Sequence, residues 1–445
     1  MAFTRQNYWL KTNALVGAPK MSSIVERNAL GEVPRAERKP WPNIAMIWAG
    51  AMICVPALMI GGVMISGLPV WQAIIAGTLG YATVVTYMAF QGMVGADLGR
   101  PTVAVASSAF GDKGSRLIIS FVLGVAIMGW FGVQTSIAGS AFSEIMKHWL
   151  GVEIAVPLST ALWGVVMLTT AILGYRALAY LNYIAVPALL VLAIYGTYIA
   201  VYEYGLTALV DLQPNKPISL LTGIGIAVGT FAVGGVIAGD YTRYAVDRKG
   251  AILSCVFGVL PLGILLLIAG ALMSAVAGSS DMTKVISNLG YPGIGLTTLI
   301  LATWTTNAVN AYSAGLALTK LFRLNDRRRA LATGVAGIIG TVLAIAGIID
   351  HFIPFLLILT MGICPIAGVM IADYWIVGKG KRENWTAVEG LNYAGVVSWA
   401  IGFAVAYFLT IGIAPVNAIV SSMIAFCILK IWLKRRLQRR PPTNI

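Results

Sequence analysis

Two short stretches place polar side chains inside otherwise apolar sequence, where they could bind a small molecule. In the first, Trp130 and Gln134 are four residues apart and would share one face of a helix. A flat aromatic ring beside a carboxamide suits a planar heterocycle, which would stack on the indole and pair its edge with the amide. The alternative is structural: Trp130 would face lipid, and Gln134 would form a hydrogen bond to a neighbouring helix.

The second stretch runs from Ala302 to Asn310 and combines hydroxyl and carboxamide side chains. Thr306 and Asn310 are four residues apart, and Asn307 and Asn310 are three apart. One helical face could therefore offer hydroxyls to an ion and amides to a substrate. Such side chains are costly in hydrocarbon and must face the interior of a helix bundle. The alternative here is also structural, namely polar contacts between helices.

The composition indicates that the elements carrying these stretches are membrane helices. The chain has 445 residues, of which 58% are hydrophobic and 11% charged, whereas soluble domains average roughly 25% charged residues. A helix needs about 20 apolar residues to cross the hydrocarbon core. We predict an all-α polytopic membrane protein with twelve transmembrane helices, of which the last two are separated only by Pro415. The predicted spans are 43–66, 70–96, 116–146, 155–174, 178–202, 218–240, 250–278, 291–320, 330–349, 352–376, 393–413 and 415–433.

The distribution of charge predicts the orientation of the chain. The formal net charge of +14 would suggest a nucleic-acid partner in a soluble protein. With twelve spans, however, 28 of the 31 Lys and Arg residues fall on one side of the membrane, and only Lys147, Lys216 and Lys284 fall on the other. Basic residues concentrate in cytoplasmic loops. We therefore predict a cell-membrane protein with both termini cytoplasmic and no nucleic-acid partner.

Spans 1 and 6 contain residues that break helices. Span 1 contains Pro56, followed by Gly61 and Gly62. Span 6 contains Gly223, Gly225, Gly229, Gly234, Gly235 and Gly239. Breaks five spans apart are typical of transporters built from two inverted repeats, whereas glycines alone could simply permit close helix packing.

The repeat hypothesis divides the chain into five segments. They are a cytoplasmic segment 1–42, a first repeat 43–202, a second repeat 203–376, two additional helices within 377–433, and a basic cytoplasmic tail 434–445.

The sequence places no Asp or Glu at the middle of a span. Because a proton relay usually needs a buried ionisable group, this favours Na⁺, held by carbonyls and hydroxyls, over H⁺ as a coupling ion. Both histidines, His148 and His351, lie at the ends of spans, so we predict no catalytic residues and no cofactor.

Several motifs resemble the nucleobase–cation symporter-1 family, and within it the cytosine permease branch. They occur in the family's order: Glu26–Arg38 before the first span and, each in the matching span, Gly129–Gly132, Gly229–Phe231, Trp304–Asn307, Pro365–Gly368 and Ile371–Tyr374. The resemblance implies a LeuT-like 5+5 inverted repeat, the fold of sodium-coupled amino-acid transporters. Spans 1 and 6 would be broken, and spans 11 and 12 would lie outside the repeats.

The resemblance also assigns roles to individual residues. The substrate would lie between the rings of Trp130 and Phe231, with polar contacts from Gln134, Asn307 and, nearby, Asn310. The backbone of Gly229 and Thr230 would add further contacts. The sodium site would use the backbone of Gly50 and of Ile53 or Cys54, together with Ala302, Thr305 and Thr306.

Two departures from the family pattern bear on the substrate and the ion. The cytosine branch has an asparagine where this chain has Ala302, although the hydantoin branch has alanine there. Gln134 resembles hydantoin and purine members, whereas Phe231 resembles cytosine permeases.

We predict a symporter that imports a planar nucleobase, cytosine first, with Na⁺ or otherwise H⁺. We expect a functional monomer whose partners are this substrate and the lipid bilayer. The alternatives are the same fold carrying allantoin, hydantoin or a purine, a polytopic membrane enzyme, and a channel.

Overall fold

The long apolar runs form helices throughout the part of the chain that the computed structural model describes. The described residues are 31–173, 175–214, 216–288, 292–325 and 328–438, with side chains described outside 173–182 and 434–438. Most of the predicted segment 1–42, Glu26 of the first motif and the end of the predicted tail 434–445 lie outside these residues. Within the described ranges the only β pairing is an isolated bridge between Lys39 and Ala245.

Each predicted span overlaps one long helix or a bent pair. The helices are α1a (Trp41–Met52), α1b (Val55–Ile65), α2 (Val70–Leu98), α3 (Ser120–Leu150), α4 (Val156–Leu173), α5 (Tyr175–Tyr204), α6 (Leu220–Val236), α7 (Arg248–Ala277), α8 (Pro292–Leu321), α9 (Arg329–Ile345), α10 (Phe352–Ile371), α11 (Tyr393–Phe408) and α12 (Ala414–Gln438). Short helical turns connect or extend them: Arg35–Glu37, Thr102–Val105, Ser107–Phe110, Asp112–Gly114, Ser115–Ile119, Leu206–Val210, Ala238–Thr242, Met282–Asn288, Ile348–His351, Ala372–Val377 and Arg382–Asn384.

By length and hydropathy, some of these helices could cross a membrane. Among the described residues, seven helices are long and apolar enough to cross a membrane, and the bent pair α1a–α1b makes eight. Three shorter apolar helices lie in α4, α9 and α11. The threonines and asparagines of α8 lower its mean hydropathy. The prediction of an all-helical polytopic protein is confirmed, and the count of twelve crossings stays a prediction.

The break in the first span lies at Ile53 and Cys54, directly before Pro56. Cys54 is extended (φ −141°, ψ 159°), and α1a and α1b meet at a bend of 56°. Proline has no N–H to donate and its ring clashes with the carbonyl four residues earlier, which favours a kink or break before it, and Pro56 lies in the first turn of α1b. Gly61 and Gly62 do not break the helix: they lie inside α1b. A Cβ on Gly61 would overlap the backbone of α7 at Leu267, so this glycine permits close packing.

The sixth span is interrupted within its glycine-rich run. Phe231 has non-helical dihedral angles (φ −126°, ψ 17°) inside α6, and Ile237 separates α6 from Ala238–Thr242. The neighbouring glycines permit close approach: a Cβ on Gly229 would overlap the carbonyl of Leu356, and one on Gly235 would overlap the ring of Tyr87. Both readings of the glycines therefore apply to this span, since it is bent and also tightly packed.

The last two helices are separated earlier than predicted. α11 ends at Phe408, and Gly412 adopts the left-handed conformation (φ 82°) in the connection that follows. Pro415 lies in the first turn of α12, where its missing N–H leaves no helical hydrogen bond unmade. The proline therefore marks the start of the second helix and not the end of the first.

Helix packing forms two groups joined by α5 and α10. In one group α7 packs on α1a, α1b and α2, and α2 also packs on α6. In the other, α3 packs on α4, α8 and α9, and α8 packs on α9. α5 contacts α7 and α8, while α10 contacts α6 and α3 and carries α11 and α12 on its outer side. The residues of the predicted site therefore come from both groups.

Candidate functional site

Trp130 of α3 is half-buried and packs against the first turn of α10. Its ring meets Phe352 and Phe355 edge-on, with centroids 5.9 and 5.4 Å apart and interplanar angles of 77°. Gly129 makes this contact possible because a Cβ there would overlap the ring of Phe355. Neither ring stacks parallel on the indole, and a planar ligand would need an indole face for stacking.

Gln134, one turn further along α3, is only 2% exposed. Its Oε1 is buried and has no hydrogen-bond partner among the described residues. An unpaired buried carbonyl oxygen costs about 1–3 kcal/mol, so such a group usually meets water or a ligand. The structural alternative, in which this oxygen accepts a bond from a neighbouring helix, is absent from the described contacts. Trp130 and Gln134 thus combine an aromatic ring with a free acceptor.

The kink of α6 places Phe231 against the first span. The Phe231 ring is half-buried and packs edge-on against Trp48 of α1a at 6.1 Å. Thr230 is buried and its hydroxyl donates to the Ile226 carbonyl at 3.4 Å. Gly229 lies against the carbonyl of Leu356 in α10. Phe231 therefore faces α1a and Gly229 faces α10, whereas the Thr230 hydroxyl bonds within α6.

Consecutive residues of α10 contact both sides of the predicted substrate site. Phe355 packs on Trp130 of α3, and Leu356 lies against Gly229 of α6. The sequence analysis named neither of these residues, nor Phe352. Aromatic residues in an apolar run are ordinary, so their sequence carries no signal. Only the packing of α10 between α3 and α6 identifies them.

Asn307 of α8 is fully buried and makes contacts within the protein. Its Nδ2 lies 3.0 Å from the Phe131 carbonyl, 2.9 Å from Thr135 Oγ1 and 3.2 Å from Met167 Sδ. Its Oδ1 accepts a hydrogen bond from Asn310 Nδ2 at 3.2 Å. The hydrogen bonds donated by the Asn307 amide group therefore join α8 to α3, as expected if this residue makes polar contacts between helices.

The hydroxyls expected at the ion site converge on one carbonyl. Thr305 and Thr306 both donate to the Ala302 carbonyl, at 3.1 and 2.9 Å. Ala302 and Thr305 are buried, and Thr306 is half-buried. Both hydroxyl oxygens keep lone pairs that a cation could use.

The break in the first span diverts two backbone bonds near the other expected ion ligands. The Cys54 N–H donates to Met52 at 2.9 Å instead of Gly50, and the Ala57 N–H donates to Cys54 at 3.1 Å instead of Ile53. This leaves the carbonyls of Gly50 and Ile53 without these helical donors. Gly50 is exposed and Ile53 is buried.

A cavity of about 390 Å³ begins two residues beyond Gln134 on α3, at Ser136. Its lining comes from α1b, α3, the segment around Ser280 and the start of α10, and includes Ser136, Ser140 and Phe352. Trp130 and Gln134 are not part of its lining. Phe352, which also touches Trp130, therefore separates this cavity from the indole.

Two polar residues of α2 were missed by the sequence analysis. Gln91 is buried and its Nε2 donates to the Ala367 carbonyl of α10 at 3.1 Å. The Tyr87 hydroxyl donates to the Ala232 carbonyl of α6 at 3.2 Å. An amide in the middle of an apolar span was the available signal for Gln91. These contacts connect α2 to the bent helix α6 and to α10.

Broken helices, hydroxyls, aromatic rings and an unpaired amide oxygen within an apolar helical bundle are typical of a membrane transporter. Comparison with known proteins identifies which transporters. Residues 32–429 match the family described as permease for cytosine/purines, uracil, thiamine, allantoin, and the chain belongs to this family. This confirms the resemblance seen in the motifs, and the protein is a transporter and not an enzyme.

A relative and two solved structures are similar over nearly the whole chain. The cytosine permease of Escherichia coli strain K12 is 30% identical over 409 residues, covering 91% of this chain and 94% of that protein. The inward-facing conformation of Mhp1 has a TM-score of 0.80 at 23% identity and covers 92% of this chain and 94% of Mhp1. A closed conformation of Mhp1, a nucleobase-cation-symport-1 family transporter with bromovinylhydantoin bound, has a TM-score of 0.74 at 22% identity and covers 95% and 97%.

Proposed function

We propose that the protein is a symporter that imports a planar nucleobase, cytosine first, together with Na⁺ or otherwise H⁺. The observation that carries this proposal is the buried, unpaired Oε1 of Gln134 one turn from the ring of Trp130. A nucleobase has the two groups that would complement this pair: a flat π surface for the indole ring and an edge N–H for the amide oxygen. The cytosine permease relative supports cytosine as the first choice.

The proposed pocket binds the base by stacking and by edge recognition. Trp130 and Phe231 would hold the two faces of the ring, and stacking of this kind is worth about 1–3 kcal/mol per base. Gln134 Oε1 would accept an N–H from the edge of the base. Selectivity follows because an analogue without that N–H would leave the buried oxygen unpaired.

The remaining predicted contacts take more specific roles in this proposal. The amide oxygen of Asn307 would face the substrate, while its bonds to Phe131 and Thr135 keep α8 in register with α3. Asn310 would orient that oxygen through its bond at 3.2 Å. The backbone beside the kink, at Gly229 and Thr230, would complete the polar contacts.

The proposed coupling ion is Na⁺ at the junction of the broken first span and α8. The carbonyls of Gly50 and Ile53, or Cys54 in place of the latter, would be ligands from the first span. The Ala302 carbonyl and the hydroxyls of Thr305 and Thr306 would be ligands from α8. Hard oxygen ligands suit a hard cation, and no carboxylate is required. The cation would stabilise the break in the first span that lines the pocket.

We also propose twelve crossings, cytoplasmic termini and two inverted repeats, 43–202 and 203–376. Helix packing supports the repeats. In an inverted repeat the broken first span (α1a and α1b) corresponds to α6, and α2 corresponds to α7. The contact of α2 with α6 then has its counterpart in the contact of α7 with α1a and α1b, and both contacts are present. The same operation converts the contacting pair α3–α4 into α8–α9. Rocking of one helix group against the other would release the substrate.

The competing candidate is a hydantoin, allantoin or a purine in the same pocket. Its support is the bromovinylhydantoin bound to Mhp1, together with the resemblance of Gln134 to hydantoin and purine members. All these ligands contain a flat ring with N–H groups on its edge, so the pocket chemistry is shared.

Uptake of labelled substrates tests the proposal. Cells expressing the chain should accumulate cytosine in preference to adenine, uracil, allantoin and hydantoin, and removal of Na⁺ should reduce the rate. Preference for another of these heterocycles would replace cytosine, and uptake that ignores Na⁺ but collapses with a protonophore would assign coupling to H⁺. Accumulation of none of them would refute nucleobase transport.

A further inference from the structure

A second polar cavity, of about 760 Å³, lies far from the proposed substrate site, where several helix ends meet. It is formed by the segment before α1a, the end of α2, the start of α7 and the connection after α10. Six of its lining side chains are basic: Arg35, Arg38, Arg248, Lys249, Lys381 and Arg382. Three are acidic: Asp97, Asp247 and Glu383. The cavity therefore carries an excess of positive charge.

The acidic groups at this cavity already have partners. Asp97 accepts hydrogen bonds from Arg248 at 2.6 and 2.9 Å and from the Tyr374 hydroxyl at 2.6 Å. Asp247 caps α7 by accepting from the Gly250 N–H at 2.6 Å. Glu383 lies 4.0 Å from the ammonium of Lys381. Asp97 and Glu383 are thus paired with cations of the cavity, and Asp247 is engaged as a helix cap.

Three cations at the cavity have no carboxylate within ion-pair distance among the described residues: Arg35, Arg38 and Lys249. Arg38 is the most constrained of them. Its Nη1 donates to the Ala96 carbonyl at 2.6 Å, whereas its Nε and Nη2 are buried without a hydrogen-bond partner in the described structure. Burial lowers the pKa of the Arg38 guanidinium, although the nearby carboxylate of Glu32 opposes this. An anion in the cavity would offset the cost of burying this charge.

The cavity lies at the level where membrane-crossing helices end. The candidate spans Val70–Leu98 and Ile348–Val377 end beside it, and Arg248–Ala277 begins there. Trp41 packs on Phe257 at 5.5 Å, and Trp375 packs on Phe90 at 5.8 Å. Tryptophan is enriched at the membrane–water interface.

Exposed apolar side chains lie on the same helices that form the cavity and on α1a. Phe257 and Phe90 are 54% and 38% exposed, and Met46 on α1a is 72% exposed. A free anion would have no use for this surface, whereas the acyl chains of a lipid would cover it. The basic cavity and the apolar surface beside it together match the two parts of a phospholipid.

We propose that this cavity binds the phosphate group of an anionic phospholipid, with Arg35, Arg38 and Lys249 facing the phosphate. Guanidinium groups pair well with phosphate oxygens because their N–H groups are arranged as a fork. A bound lipid would connect the segment before α1a to α2 and α7, and it would do so independently of the transported substrate.

The test uses the purified full chain, stripped of lipid in detergent. Native mass spectrometry measures the affinity for phosphatidylglycerol, for phosphatidylcholine, and for phosphatidylglycerol in competition with inorganic phosphate. The variant Arg35→Gln/Lys249→Gln removes two exposed charges, and Arg323→Gln/Arg328→Gln removes the same charge from the connection between α8 and α9. Thermal unfolding in phosphatidylcholine checks that both variants fold.

The expected result is tight binding of phosphatidylglycerol that is lost in the first variant only. Each basic residue removed should weaken binding about five-fold, and both together about twenty-five-fold. Equal affinity in the first variant and the control would overturn the proposal, as would equal binding of phosphatidylcholine and phosphatidylglycerol. Displacement of the lipid by inorganic phosphate at equal concentration would overturn its assignment to lipid and leave a soluble phosphate as the ligand.

Discussion

Replacing Gln134 by methionine is expected to stabilise the empty transporter and to weaken its binding of substrate. Methionine has nearly the shape of glutamine but no amide oxygen. The Oε1 of Gln134 is buried without a partner, and such an atom costs the folded protein about 1–3 kcal/mol. Removing it should raise the free energy of unfolding of the substrate-free protein by up to that amount.

The same substitution should act in the opposite direction on the substrate complex. With methionine in place, an N–H of the bound base would be buried without an acceptor, which costs about 1–3 kcal/mol. The affinity for cytosine should therefore fall by about 5-fold to about 150-fold. Opposite signs for stability and affinity are the signature of a residue that is retained for its ligand.

The assay combines two measurements on one preparation. Thermal unfolding in detergent, without and with cytosine, gives the stability of the empty protein and its stabilisation by ligand, and uptake in cells gives the apparent KM. Gln91→Met is the matched control, because Gln91 is also a buried amide but its Nε2 donates to Ala367 at 3.1 Å. This control should lose about 0.5–1.5 kcal/mol of stability and keep its KM. If Gln134→Met is destabilised like the control and retains its KM, Gln134 is a structural residue and the proposed pocket is wrong.

Three further substitutions test other parts of the site. Trp130→Ala should abolish uptake without loss of protein from the membrane, whereas Trp130→Phe should keep part of it because a stacking face remains; normal transport by the alanine variant would refute the stacking role. Gly229→Ala should greatly reduce the amount of folded protein or the uptake, since its Cβ would overlap the Leu356 carbonyl. The control Gly225→Ala should behave as wild type in the same uptake and expression assays, because its Cβ would lie 3.6 Å or more from its neighbours. Thr306→Val should raise the Na⁺ concentration for half-maximal uptake several-fold at unchanged expression, and an unchanged Na⁺ dependence would remove this hydroxyl from the ion site.

Local sequence predicted most features of the helices and of their breaks. The apolar runs predicted every long helix, and Pro56 predicted the bend of the first span, because proline has no N–H to donate and its ring clashes with the preceding turn. Gly61 and Gly62 were assigned to the same break, but they pack against α7. A glycine either loosens a helix or admits a neighbour, and only the presence of the neighbour distinguishes the two.

The polar residues of the proposed site were predicted from sequence, but their partners were not. Gln134 and Asn307 are both amides in the middle of an apolar span. In the folded protein Asn307 donates to α3, whereas the oxygen of Gln134 has no partner among the described residues. The direction of a side chain on a helix follows from its position, but the group it meets belongs to a distant part of the chain.

By itself, the amino-acid sequence determined that this protein is a bundle of membrane helices, which two of its spans break, and which uncharged polar residues are costly in hydrocarbon. These properties depend on the transfer of each segment from water to lipid and on its own backbone. Tertiary structure alone decided that α10 lies between Trp130 and Gly229, and that the basic side chains of four separate segments form one cavity. Such contacts join residues far apart in the chain, and they exist only once the helices have packed.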